Sequence, residues 1–322
     1  VGRRRRASDP PMNTSAFGRS KETPALLSGS DRGAPALVQR VQRLSPLWLA
    51  LPACLVLFIF GIGLLDLLLW SLRSSGSLGA EALGPVGLQT YARILSDPLY
   101  LGALGATLRL SAVSTIASLV LGLPIAYWIV RTPSARVRAT LIMLVAVPFM
   151  TSLIVRLYAL MLVLGNTGLV NRVLHGLGIL PENDFLPLIR NETSVAIGLT
   201  YFVLPFVIFT LAGGFRRFDR TLEEAAQSLG ADEVITFFRV TLPLLAPGVL
   251  AAGTLAFVLA GTAFATPLLL GGSAVRMIAN VIYDQAMFAQ NLPVAAALSA
   301  VALVFTLSCL MLAGRLGRRA HA

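Results

Sequence analysis

Five polar side chains stand within or at the rim of long apolar runs: Asp66, Arg156, Tyr158, Tyr201 and Asp284. An ionisable group in such surroundings is costly, so each is expected to pair with another group or to line a polar passage. Asp66 and Arg109 fall near the outer ends of their runs, where side chains reach toward the interface. Arg156 lies deeper, about 25 Å along its run at about 1.5 Å per residue. It could pair with Asp66 or face an outward cavity. Asp284 follows Tyr283 just ahead of the last run, at a cavity mouth or in solvent. Carboxylates beside tyrosine faces, as Asp66, Asp284, Tyr158, Tyr201 and Tyr283 could supply, suit an organic cation. The guanidinium of Arg156 suits a solute that carries a carboxylate.

Chemistry that makes or breaks bonds has no comparable footing. The sequence holds no nucleophile elbow, no His-Glu-x-x-His helix and no carboxylate pair on one helix face, so the reading is that the chain is not an enzyme. Lys21 is the only lysine and lacks a preceding Gly-x-x-x-x-Gly, so no phosphate-cradling loop exists and the chain cannot be its own ATPase. No cofactor is expected in this chain. Cys54 and Cys309 lie far apart inside apolar runs without histidine partners, and His175 and His321 stand alone, so no metal site is expected.

Composition fixes the class. Of 322 residues 56% are hydrophobic and 13% charged, with a mean hydropathy of +0.78. A soluble domain carries about a quarter charged residues, so this is an all-α integral membrane protein. The net charge of +11 is spread over a tail and short loops without a basic groove, which excludes nucleic acid as a partner. About 20 apolar residues cross a bilayer, and by that measure helices are expected near Leu47–Trp70, Leu108–Val130, Ala139–Leu164, Ser194–Gly213, Leu245–Leu270 and Val294–Gly314. Six spans place both termini on one side. Arg40, Arg43, Arg131, Arg136, Arg138, Arg216, Arg217, Arg220, Arg239, Arg315, Arg318 and Arg319 all flank that side, which marks it as the cytoplasm.

The expected organisation is a disordered basic cytoplasmic tail over 1–45, with Arg3 to Arg6 at its start and Met12 as an alternative translation start to Val1. A first helix and outer loop follow over 46–100, then a transport core over 101–315 and a short cytoplasmic tail over 316–322. Pro124, Pro148, Pro205, Pro247 and Pro267 are each expected to interrupt a span.

Between the fourth and fifth spans lies FDRTLEEAAQSLGADEVITFFRVTLP, residues 218–243, which is charged and amphipathic. Thr221 and Glu224 have capping-box spacing, so a helix should begin near Thr221. Gly230 should close it in the left-handed conformation and Asp232 should cap the next helix. Leu242-Pro243 should end that second helix.

Glu224-Ala225-Ala226, then Gly230 after three residues, then Val240-Thr241-Leu242-Pro243 after nine, resembles the EAA loop of permease subunits of bacterial ABC importers. Further stretches resemble the spermidine/putrescine branch: VPFMTSLIVRLYAL at 147–160, GNTGLVN at 165–171, FATPLLLGG at 264–272 and NLPVAAALS at 291–299. The resemblance covers roughly residues 101–315. It implies a type I importer permease of the inner membrane, in which two permease subunits face each other. An external solute-binding protein would deliver the solute, and separate ATPase subunits would bind ATP. It also implies that Glu224 pairs or caps at the ATPase groove, that Ala225 and Ala226 permit close approach, and that Gly230 makes the corner ahead of Leu242 and Pro243. Val240 stands where isoleucine is common, and Leu292 where tryptophan is usual. Arg156 would repel a cation if it faced the passage. Polyamines are thus the first solute class, an opine, amino acid or other carboxylate-bearing solute the second. A gradient-driven transporter or channel without an ATPase is the competing class, although no repeat relates the two halves.

Overall fold

The computed structural model describes residues 46–75, 83–181, 184–217, 219 and 221–319. The tail expected over 1–45 lies outside the described residues, as do Phe218, Arg220 and 320–322. The chain divides after Ile62 into two compact units. The first contains the opening turns of helix α1 (Pro46–Ser71), whose apolar side chains from Leu51 to Ile62 are exposed.

The second unit opens with the end of α1 and a short antiparallel ladder, β1 (Arg73–Ser75) with β2 (Leu83–Val86), in which Arg73 pairs with Val86. This ladder is the one departure from the all-α expectation among the described residues. Helices follow: α2 (Gln89–Ser96), α3 (Pro98–Arg131), α4 (Ala135–Met150), α5 (Leu153–Leu164), α6 (Leu169–Gly176), α7 (Glu192–Arg217) and α8 (Thr221–Ser228). After α9 (Glu233–Thr236), a π-helical turn over Phe237–Thr241 runs straight into α10 (Leu242–Gly261). A second π turn (Pro267–Gly271), α11 (Ile278–Tyr283), a third π turn (Asp284–Phe288) and α12 (Leu292–Arg319) complete the chain.

Helix α3 begins where Asp97 accepts the Leu99 amide at 2.9 Å with Pro98 in the first turn, a start that proline's fixed φ favours. It ends at Thr132, which is extended, as a residue before proline prefers. Its 34 residues make it about 50 Å long, more than a bilayer core requires. One stripe of small residues on α3, Thr107, Ser111, Ser114, Ser118, Gly122 and Ala126, is buried at helical spacing. It lies against Val195, Leu199, Val203, Val207, Leu211 and Phe215 of α7, and against Ala252, Ala256 and Ala260 of α10. Small residues let membrane helices approach closely where no hydrophobic drive exists between helix and lipid. The Ser114 hydroxyl donates across the seam to the Ala196 carbonyl at 3.2 Å. The π turn at 267–271 docks on the start of α7, where the Leu270 carbonyl accepts from both the Arg190 amide (2.8 Å) and the Ser194 hydroxyl (2.9 Å).

Six helices among the described residues are long and apolar enough to cross a membrane: Leu51–Ser71, Pro98–Arg131, Leu153–Gly176, Glu192–Arg217, Glu233–Gly261 and Leu292–Met311. The third expected span, 139–164, is not one helix. Thr151 and Ser152 are extended between α4 and α5, and the Pro148 carbonyl takes the Thr151 hydroxyl at 2.7 Å, which closes α4. The fifth begins at Glu233 and ends at Gly261, so it is displaced from the expected 245–270. Pro124, Pro205 and Pro247 lie inside α3, α7 and α10 without ending them.

Candidate functional site

The segment after α7 folds as an elbow. Helix α8 starts at Thr221 as expected, but the expected capping box is not what closes its start. The Asp219 carboxylate, two residues earlier, accepts the Thr221 amide at 3.0 Å, because Thr221 is already inside the helix. At the other end Gly230 has φ +92°, its amide reaches the Gln227 carbonyl (2.9 Å), and the Ala231 amide reaches the Ala226 carbonyl (3.1 Å). That bond pair is a Schellman closure, which needs a left-handed residue at Gly230. Asp232 then caps α9, accepting the Ile235 amide at 2.7 Å.

The expected stop at Leu242-Pro243 does not occur. Leu242 is helical and its amide reaches back five residues to Phe237, widening the turn. Pro243 then sits in the first turn of α10, where a missing N–H and a fixed φ do little harm. The elbow therefore continues without a break into a membrane-spanning helix.

Its outer surface carries Glu224, Ala225, Leu229, Gly230 and Pro243, all exposed, with Ala226 and Leu242 half-buried. Its inner surface carries a residue the sequence reading passed over. Glu223 is 8% exposed, forms an ion pair with Arg131 at the end of α3, and accepts the Thr241 hydroxyl at 2.7 Å. The Arg131 guanidinium lies 5.5 Å over the Tyr127 ring, and Tyr127 meets Phe215 and Phe237 edge-on at 5.5 and 5.2 Å. The available signal was helical spacing: Glu223 shares a face with Ala226, the less exposed side of α8.

The five polar candidates along the spans do not converge, and among the described residues no contact joins them. Arg156 occupies the first turn of α5; its Nε is buried without a hydrogen-bond partner, and the expected pairing with Asp66 is not formed. Asp66 is exposed, as are Tyr158 at 55% and Tyr201 at 37%. Asp284 begins the third π turn and lies 3.9 Å from Arg276, which the sequence reading did not single out. Beside it the Tyr283 ring lies tilted against Phe264 at 4.7 Å and meets Phe288 edge-on at 5.8 Å. Arg109 does not snorkel alone; it pairs with Glu192 at the start of α7. That pair borders a cavity of about 650 Å³ with Gly102, Ala106, Ser273 and Arg276.

Residues 118–321 match the family described as "Binding-protein-dependent transport system inner membrane component". The spermidine/putrescine transport system permease protein PotB of Escherichia coli (strain K12) is 36% identical over 212 residues, covering 66% of this chain and 76% of that protein. Its counterpart from Haemophilus influenzae is 34% identical over 215 residues, covering 67% and 74%. Among solved structures, a bacterial ABC transporter involved in import of the acidic polysaccharide alginate superposes with a TM-score of 0.68 at 18% identity, over 88% of this chain and 99% of that one. That last likeness concerns the fold alone. With the family matched over most of the chain and two relatives above 30% identity, the protein is a multi-pass inner membrane permease subunit of a type I ABC importer and belongs to the binding-protein-dependent transport family.

Proposed function

We propose that this chain forms, with a second permease subunit, the passage by which an ATP-driven importer takes up small amines of the spermidine and putrescine class. Separate ATPase subunits bind and hydrolyse ATP, and an external binding protein delivers the solute. The elbow over 219–243 is the handle on which the ATPase acts, with Glu224, Ala225 and Gly230 on the docking surface. The elbow and both termini lie in the cytoplasm, in keeping with the arginines at 131, 136, 138, 216, 217 and 239.

The single observation that supports this reading most is the elbow, closed at Gly230 and continuous with α10, with Glu224, Ala225 and Gly230 exposed. The amine class rests on the two polyamine permeases described above and on the paired rings of Phe264 and Tyr283. A carboxylate-bearing solute is the second reading, favoured by the unpartnered guanidinium of Arg156. Uptake of labelled putrescine and of a labelled opine by cells expressing the whole transporter separates the two. Competition by unlabelled spermidine, and not by the opine, is expected; the reverse pattern overturns the amine assignment.

A further inference from the structure

The elbow carries its carboxylates on two sides. Asp219, Glu224, Asp232 and Glu233 are exposed, whereas the Glu223 side chain is 11% exposed and that of its partner Arg131 15% exposed. Removing two charges from water is costly, and the cost is met only when each is compensated by the other and by further bonds. Here Glu223 has Arg131 and the Thr241 hydroxyl, and Arg131 has the Tyr127 face. The Arg131 Nε is buried without another partner, so the guanidinium depends on this one carboxylate.

The cluster joins four elements at one point: α8 through Glu223, α3 through Arg131 and Tyr127, α7 through Phe215, and the π turn ahead of α10 through Phe237 and Thr241. Sliding or rotating α8 against the end of α3 would strip a buried charge of its partner. We propose that the Glu223–Arg131 pair, seated by Thr241, is the clamp that passes movement of α8 into α3 and α10, so that Glu223 and Arg131 are positioning residues for energy coupling. This rests on reading the elbow as the ATPase handle.

The clamp has a direct test on the assembled transporter in liposomes. Cys54 and Cys309 are replaced by alanine, and spin labels are placed at Pro133→Cys, just past α3, and Thr221→Cys, in the first turn of α8. The distance between them is expected to be single and unchanged between the ATP-free and the ATP-plus-vanadate states. Glu223→Gln and Arg131→Met are expected to broaden it, with Arg131→Lys between them and the parent. In parallel, putrescine uptake per ATP hydrolysed is expected to fall about tenfold in Glu223→Gln, the scale of a coupling free energy between sites. A distance in the parent that shifts when ATP is trapped overturns the clamp even if the variants fail to assemble. Unchanged uptake per ATP in an assembled Glu223→Gln transporter also overturns it. In both cases an ATPase still bound at α8 leaves the reading of the elbow intact, whereas a parent protein that binds no ATPase removes that reading instead.

Discussion

Gly198 of α7 faces Leu270 with no room for a side chain: a methyl group built there would lie 2.3 Å from Leu270 Cδ1 and 2.7 Å from Thr266 Cγ2. The absent side chain at residue 198 lets the π turn over 267–271 press against the start of α7. Gly198→Ala should therefore lower the melting temperature of the detergent-solubilised protein, although alanine is the better helix former by about 1 kcal/mol. Overpacking costs about 1–3 kcal/mol and should dominate, with Gly198→Val worse than Gly198→Ala. Equal melting temperatures for all three would show that Leu270 and Thr266 yield without cost.

The corner at Gly230 fails for a different reason when substituted. Within the permease no atom beyond its chain neighbours stands within 4 Å of a side chain added there, so inside this chain only the φ of +92° resists. A left-handed residue other than glycine costs about 1–2 kcal/mol, less for asparagine. Gly230→Asn should keep much of the solute uptake and Gly230→Val should lose it, while both reach the membrane in parental amounts. A Gly230→Val protein with normal uptake would remove the corner from the mechanism.

Among the described residues the Asp232 carboxylate bonds the Ile235 amide alone, as the cap of α9. Asp232→Ala should lose about 1 kcal/mol of local stability and speed hydrogen exchange at the Ile235 amide, whereas Asp232→Asn should leave exchange close to parental. Identical protection in the alanine variant would place the start of α9 under tertiary rather than capping control.

Arg109 and Glu192 form an ion pair of the opposite kind to Glu223 and Arg131, with side chains 61% and 49% exposed. Exposed pairs contribute about 0–1 kcal/mol, so a double-mutant cycle with Arg109→Gln and Glu192→Gln should give a small coupling energy that fades in salt. A large, salt-insensitive value would mean that the cavity they border is closed from solvent in the membrane.

The spans were legible in the sequence because a bilayer imposes length and hydrophobicity on each crossing segment, and the corner at Gly230 and cap at Asp232 because few residue types meet those backbone demands. The break at Thr151–Ser152 was hidden, since apolar residues run on both sides and a capping hydroxyl leaves no trace in hydropathy. The backward extension of α10 was hidden by Pro243: the π turn that accommodates it is a property of the folded backbone. Glu223 escaped notice because two adjacent glutamates on a charged segment look alike until Arg131 arrives from a distant helix. The scattered placement of α5 with Arg156 and Tyr158, of Tyr201 and of Asp284 has the same origin, because residues on separate elements meet or miss according to helix packing. Arg276 came to light through its neighbour Asp284, which stands at the other end of the short helix α11.

That the exposed side of α8 is gripped by an ATPase is tested most directly by cysteine cross-linking from Ala225→Cys, in cells expressing the whole transporter with Cys54 and Cys309 replaced by alanine. A covalent adduct with a nucleotide-binding subunit is expected when the introduced thiol is alkylated with a maleimide-linked benzophenone and irradiated, together with protection of that thiol from membrane-impermeant reagents applied outside intact cells. Labelling of that thiol from outside, or continued uptake with no ATPase bound to the permease, would contradict the account.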